Sequence, residues 1–143
     1  MSLDLPEGGW DAGPRVSAEF MYGAADLAPQ VRLDVGFRGS FAYHSAPLDS
    51  VIIFDFVPDL KLVFGISHRF AIYADFGIGL GILHYSSDIY GSETRTAAAI
   101  QPGFGFGLAL SPTLNLLGEV RFDVYTGGHQ TFVAFPTIGL QWH

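Results

Sequence analysis

The chain contains no cysteine and a single lysine, Lys61. Without thiols, a disulfide framework, a thiolate metal site and a cysteine nucleophile are all excluded. Charge is scarce too: only 15% of the 143 residues are charged, against roughly 25% in an average soluble domain. The 14 acidic residues outnumber the 7 basic ones, so there is no basic stripe to neutralise phosphates, and nucleic acid is excluded as a partner. No uninterrupted apolar run of about 18 residues exists, which excludes a transmembrane helix. Met1-Ser2-Leu3-Asp4 also lacks the positive region and apolar core of a secretory signal. What is abundant is apolar: 49% hydrophobic residues, with 13 phenylalanines and 18 glycines. The length predicts one domain over 1–143, and the question is where so much hydrophobicity can be put.

Period-two alternation answers it. From Val51 onward Ile52, Phe54, Phe56, Pro58, Leu60, Leu62, Phe64 and Ile66 alternate with a face carrying Asp55, Asp59, Lys61 and Gly65. Phe70, Ile72, Ala74, Phe76, Ile78, Leu80 and Ile82 alternate with Tyr73, Asp75, Gly77, Gly79 and Gly81. The same rule holds from Thr96 to Ser111, from Leu114 to Tyr125 and from Thr131 to Trp142, where Phe132, Ala134, Ile138, Leu140 and Trp142 read as one side. Earlier, Val31 to His44 and Arg15 to Ala24 obey it as well. Seven long strands are predicted over 15–142, and helical periodicity competes in no window. Short links at 26–29, 67–69 and 111–113 alternate with looser polar ones at 45–50, 87–95 and 126–130, the pattern of an up-and-down antiparallel transmembrane β-barrel. Bacterial single-chain barrels have even strand numbers, so Leu3-Asp4-Leu5 within 1–14 is read as a partial, truncated first strand.

A soluble carrier barrel of the lipocalin type, binding an apolar ligand, has the same alternation with the apolar face inward. Volume and charge decide against it. An eight-stranded lumen is just wide enough for side chains to fill, and a face this rich in Phe, Ile and Leu overpacks it. The glycine rows 77, 79, 81 and 103, 105, 107 suit the inside, leaving room for Tyr73, Arg32 or Arg121. Every strand charge lies on the small face: Arg15, Glu19, Arg32, Asp34, Arg38, Asp55, Asp59, Lys61, Asp75, Glu119, Arg121 and Asp123. A lipid-facing Arg or Lys costs on the order of 2–4 kcal/mol at the bilayer midplane, which accounts for their absence from the other face. Tyr22, Phe64, Phe70 and Trp142 sit on the apolar face at the short-turn end, as interfacial aromatics do. Pro58, Pro102 and Pro136 each remove a ladder hydrogen bond, and bulges or kinks are expected there.

The runs Tyr-Ala-Asp-Phe-Gly-Ile-Gly-Leu-Gly at 73–81, Gln-Pro-Gly-Phe-Gly-Phe-Gly at 101–107 and Gly-Glu-Val-Arg-Phe-Asp at 118–123 resemble the small eight-stranded outer-membrane β-barrels of Gram-negative bacteria, relatives of the membrane domain of outer-membrane protein A. The resemblance covers about Arg15 to Trp142. It implies the bacterial outer membrane as location, membrane lipids or detergent and the outer-membrane assembly machinery as partners, and no cofactor. Such chains typically end in an aromatic residue; here Trp142 is followed by His143.

Arg32, Asp34, Arg38, Asp55, Asp59, Lys61, Asp75, Glu119, Arg121 and Asp123 are expected to form a polar lumen network. A self-paired plug is favoured over a narrow ion path because eight strands leave little bore. No metal site is expected. One catalytic candidate stands out: His84 and Ser86, two apart on the lipid-facing side, place a base and a hydroxyl where a membrane lipid could be deacylated. The pair resembles the His-x-Ser of the outer-membrane lipid A 3-O-deacylases, whose pair lies near the C-terminus, whereas this one precedes three further strands; Glu93 is the nearest loop acid. His44, His68, His129 and His143 read as loop or turn residues. The leading expectation is a structural or surface-interaction barrel rather than an open porin or an enzyme, with an extracellular ligand held at loops 45–50, 87–95 and 126–130.

Overall fold

The computed structural model describes residues 2–6, 13–126 and 130–142, and for 2–6, 130–137 and 142 the backbone alone. Alternating β-branched and aromatic residues fit a pleated surface with two unlike sides, and all the regular structure described is strand. β1 (Ser2–Pro6), β2 (Gly13–Ala28), β3 (Val31–Ala46), β4 (Asp49–Gly65), β5 (Phe70–Ser87), β6 (Gly91–Ser111), β7 (Leu114–Tyr125) and β8 (Gln130–Trp142) pair in sequence order into a closed antiparallel barrel. The partial first strand completes the ring. It is five residues long, pairing with Gly13–Arg15 of β2 and Phe132–Ala134 of β8.

The burial pattern is inverted relative to a soluble domain. Arg15, Arg38 and Arg121 are each 1% exposed, while Phe20, Ile78 and Leu80 are 57–62% exposed on the outer surface. Charges therefore face the lumen and the apolar row faces outward, as a bilayer requires. Glycine placement follows from the same geometry. A Cβ on Gly105 would lie 2.7 Å from the Tyr73 ring, and one on Gly81 would lie 2.6 Å from the Tyr125 ring. The glycine rows thus hold the large lumen side chains. The upper lumen also holds an apolar cluster: Ala42, Val51, Ile53, Val57, Leu83, Ala99 and Tyr125 are buried together there.

Several expectations are corrected. The polar segments 45–50 and 87–95 are mostly strand, because hydroxyl residues continue the alternation. The outer turns shrink to Pro47-Leu48 and residues 88–90, while 127–129 lie outside the described residues. Pro58 and Pro102 make no bulge: each interrupts bridging to one neighbour, β5 and β7 respectively, and the register resumes unchanged. Pro136 does coincide with a bulge, since pairing passes from Glu119↔Thr137 to Arg121↔Ala134. The extra residue changes the phase of β8, so Ala134 and Phe132 are paired with the lumen positions Arg121 and Asp123, and the single face read from Phe132 to Trp142 divides in two. His44, read as a loop residue, lies inside β3 and is fully buried. His68 is in the β4–β5 turn as expected; His129 and His143 lie outside the described residues.

Candidate functional site

The register brings Asp34, Lys61, Asp75, Gly103 and Arg121 side by side across five consecutive strands. Two arginines organise the charges around this row. Arg15, from β2, contacts Asp123 on β7 and donates through Nη2 to Asp55 Oδ2 at 2.5 Å and Ser40 Oγ at 2.7 Å. The Tyr125 hydroxyl donates to the same Asp55 oxygen at 2.7 Å. Arg38, from β3, places Nη2 2.7 Å from Asp59, 2.5 Å from Asp75 and 3.6 Å from Glu19. Lys61 pairs with Glu19 at 2.5 Å and lies 4.5 Å from the centre of the Tyr73 ring, whose hydroxyl donates to Glu119 at 3.0 Å. Arg121 completes the cluster, 3.3 Å from Glu119 and 3.6 Å from Asp123.

Nine of the ten named network residues are therefore buried on the lumen side. Arg32 is the other: its side chain is 46% exposed, and it forms a fork with Asp34 at 2.6 and 2.9 Å at the short-turn mouth. Asp34 thus turns toward the mouth. The expected network omits Arg15 and Glu19, although charge and parity both place them inside, and it omits Ser40, Tyr73 and Tyr125, whose hydroxyls carry no charge signal but whose parity in the alternation is inward. A cavity of about 500 Å³ opens at this mouth, lined by Asp26, Arg32, Lys61 and Tyr73 among others, and reaches up to the ionic layer.

The outward polar site is built differently. His84 and Ser86 sit where the apolar row of β5 ends, and pairing sets Ile52, His84 and Thr94 in one row and Ser50, Ser86 and Ser92 in the next. His84 Nδ1 shares a hydrogen bond with Thr94 Oγ1 at 2.8 Å. Glu93 has the opposite parity on β6, is paired with Tyr85, and is forked onto Arg95 at 2.8 and 2.9 Å. That bond holds the Glu93 carboxyl below its ordinary range. The arrangement pairs histidine with threonine and turns the nearby acid away. Among the described residues no group of His, Asp and Glu is placed to hold a metal ion.

At the outer turns Leu48 has φ 86°, an uncommon backbone for a non-glycine residue, and its carbonyl accepts from the Asp88 amide at 3.0 Å, tying two turns together. Leu48 is 58% exposed, Ile89 65% and Tyr90 90%. Of the aromatics assigned to the interface, Tyr22 is exposed, Phe64 half-buried and Phe70 stacked on Phe106 at 6.1 Å; the Trp142 side chain lies outside the described residues.

The closed ring of up-and-down strands with charges inward and phenylalanines outward decides the comparison with known folds. Its fold is that of the small outer-membrane β-barrels. Solved structures matching it over 99% of its length include Ail, the attachment invasion locus protein of Yersinia pestis, with 17% identity, 95% of that chain covered and a TM-score of 0.54. The outer membrane enzyme PagL matches with 11% identity, 99% of that chain covered and a TM-score of 0.65. Ail in complex with the heparin analogue sucrose octasulfate matches at 17% identity, with 95% of that chain covered and a TM-score of 0.52. No protein-family model and no curated protein sequence matches the chain.

Proposed function

We propose that the protein resides in the bacterial outer membrane as a barrel plugged by its own ion pairs, with a structural or surface-interaction role rather than that of a porin. The observation that carries this reading is the reach of the two arginines. Arg15 links β2 to β4 and β7, and Arg38 links β3 to β4 and β5, so the bore is crossed by charge-assisted contacts. The apolar cluster around Ile53 and Leu83 packs in the lumen at the level of these arginines and above it. In planar bilayers the protein is expected to give no stable conductance of porin size; steady open pores would overturn the plug. Tyr22, Phe64 and Phe70, with Trp142, are assigned to the membrane interface, and the assembly machinery is the expected partner during insertion.

The outer hairpin tips are the working surface in this reading. Ail is matched in a complex with a heparin analogue, but the tips here carry Asp49, Asp88 and Glu93, and Arg95 is already engaged by Glu93. Exposed Leu48, Ile89 and Tyr90 favour a partner with apolar surface over a polyanion. The protein in detergent is expected to pass through immobilised heparin at about 0.15 M salt without retention, where exposed charges still act over roughly 8 Å; retention would reverse that choice.

The hydrolase reading of His84 and Ser86 receives no support from their partners. A general base needs its accepting atom within about 2.6–3.2 Å of the nucleophile's hydroxyl and an orienting group behind it. His84 shares its Nδ1 with Thr94 Oγ1, and Glu93 is on the other face. Lipid A from cells expressing His84→Ala is expected to show the same acylation, by mass spectrometry, as lipid A from cells expressing the wild type.

A further inference from the structure

Among the described residues, six carboxyl groups share the ionic layer of the lumen with four cations. Glu19, Asp55, Asp59, Asp75, Glu119 and Asp123 are joined by ion pairs to Arg15, Arg38, Lys61 and Arg121. No further ammonium or guanidinium group can make up the difference, because all seven Lys and Arg residues fall within the described segments. Arg32 is forked onto Asp34 at the mouth, Arg69 lies between β4 and β5, and Arg95 is engaged by Glu93 at the outer end. His44, buried in β3 above this layer, would leave the set one cation short even as an imidazolium. A carboxylate stripped of water without a counter-charge is strongly disfavoured, and such a group takes up a proton instead.

The geometry singles out Asp59 and Asp75. Both side chains are fully buried, and an oxygen of each lies against the same Arg38 nitrogen, at 2.7 and 2.5 Å. One guanidinium nitrogen thus serves two carboxyl groups. The other acids are better provided for. Asp55 accepts from Arg15 and from the Tyr125 hydroxyl, and Asp123 contacts both Arg15 and Arg121. Glu119 accepts from Tyr73, and Glu19 pairs with Lys61. The Arg38 contact on Asp59 is not aligned as a hydrogen bond. Neither Asp59 oxygen has a hydrogen-bond partner among the described residues, and nor has Asp75 Oδ1. Two carboxylates held this close are not both ionised, whereas a carboxyl hydroxyl is a donor that a carboxylate oxygen can accept.

We infer that Asp59 and Asp75 hold one proton between them at neutral pH, as a carboxylic acid hydrogen-bonded to a carboxylate, with Arg38 balancing the remaining charge. The groups around the pair supply no spare positive charge. Lys61 of β4 is across from Asp75 and matched by Glu19 of β2. Arg121 of β7 lies one strand beyond, across from Gly103, and is matched by Glu119. On β3, Asp34 is across from Lys61 and already forked by Arg32. Tyr73 of β5 gives its hydroxyl to Glu119, and Gln101 of β6, across from Gly77, is neutral. The cavity at the short-turn mouth, lined by Lys61 and Tyr73, is the route by which the proton exchanges with water. The native barrel then binds one proton more than the unfolded chain, whose aspartates ionise at about pH 3.9. Stability therefore falls as pH rises above that value, until the proton is released. The inference concerns the ionic layer alone: steady conductance would overturn the plug and leave the proton in place.

The test is infrared spectroscopy of the vesicle-inserted protein at about pH 7, where ordinary aspartates are fully ionised. Expected is a carboxylic-acid carbonyl band that shifts in heavy water and disappears in both Asp59→Asn and Asp75→Asn, each of which leaves one carboxylate to Arg38. Asp55→Asn should keep it. The ratio of wild-type to Asp59→Asn folding constants, from urea unfolding, should fall about tenfold for each pH unit between about pH 5 and pH 7, the linkage slope of one proton. No band in the wild type, or a band that survives in both variants, would overturn the inference. So would a ratio that is flat in pH, or one that follows sodium concentration at fixed pH, because a bound cation would then supply the missing charge. Aspartate labelled with heavy carbon at Cγ decides the case without any substitution, should the variants fail to insert. The wild-type band must move with that label, and an unmoved band would belong to a glutamate and overturn the assignment.

Discussion

Replacing Arg38 by methionine is expected to lower the unfolding free energy by about 3–5 kcal/mol, the range for breaking a buried ionic cluster by removing one member. The Arg38 side chain is 1% exposed, and the Asp59 and Asp75 side chains it joins are fully buried. Methionine fills much of the volume, so the loss is chiefly electrostatic: two carboxylates are left facing one another with no cation between them. Removing the charges should therefore restore what removing the arginine took away. Arg38→Met combined with Asp59→Asn and Asp75→Asn is expected to recover most of the stability, since replacing a whole buried ionic set is often nearly neutral. Arg32→Met provides the contrast. Its partner is a single carboxylate at an open mouth, and with a side chain 46% exposed the change should be within about 1 kcal/mol. Urea unfolding from lipid vesicles, followed by tryptophan fluorescence, measures all three. A triple variant no more stable than Arg38→Met would show that the cost is not one of uncompensated charge.

This network was only half legible in the sequence, and the reason lies in what alternation encodes. Period two assigns each residue to a face. It therefore placed Asp59, Asp75, Arg38 and Glu119 on one side of their strands, where the structure has them. It does not encode register, so the row from Asp34 to Arg121 and the reach of Arg15 to Asp123 could not be read. Composition misled where polarity was mistaken for irregularity: Ser92, Thr94 and Thr96 continue the outward parity of Ile100, and the segment is strand up to Gly91. His44, read as a loop or turn residue, likewise belongs to a strand and is buried there. The prolines show the limit most clearly. A missing N–H can leave one neighbour unbridged, as at Pro58 and Pro102, or accompany an extra residue, as at Pro136. The residue type alone does not distinguish these outcomes.

Ile78→Arg and His84→Arg are expected to differ sharply, and the difference tests the surface on which every functional statement rests. Ile78 is 57% exposed, stands among the outward apolar residues from Phe70 to Ile82 and is paired with Ile100. His84 lies three outward positions further along the same strand, beside Thr94, where the apolar row gives way to hydroxyls. Arginine on the lipid face costs about 2–4 kcal/mol near the midplane and about 0–1 near the interface. Ile78→Arg should therefore destabilise the vesicle-inserted barrel by the larger amount and His84→Arg by little. A water-facing surface predicts otherwise, because exposed substitutions away from special features usually stay within about 0.5 kcal/mol, and the two variants would then agree. Equal small effects in vesicles would remove the membrane from the account. The gradient would instead place the end of the hydrocarbon between Ile82 and His84, leaving the two hydroxyl rows and the Leu48 and Tyr90 turns on the aqueous side.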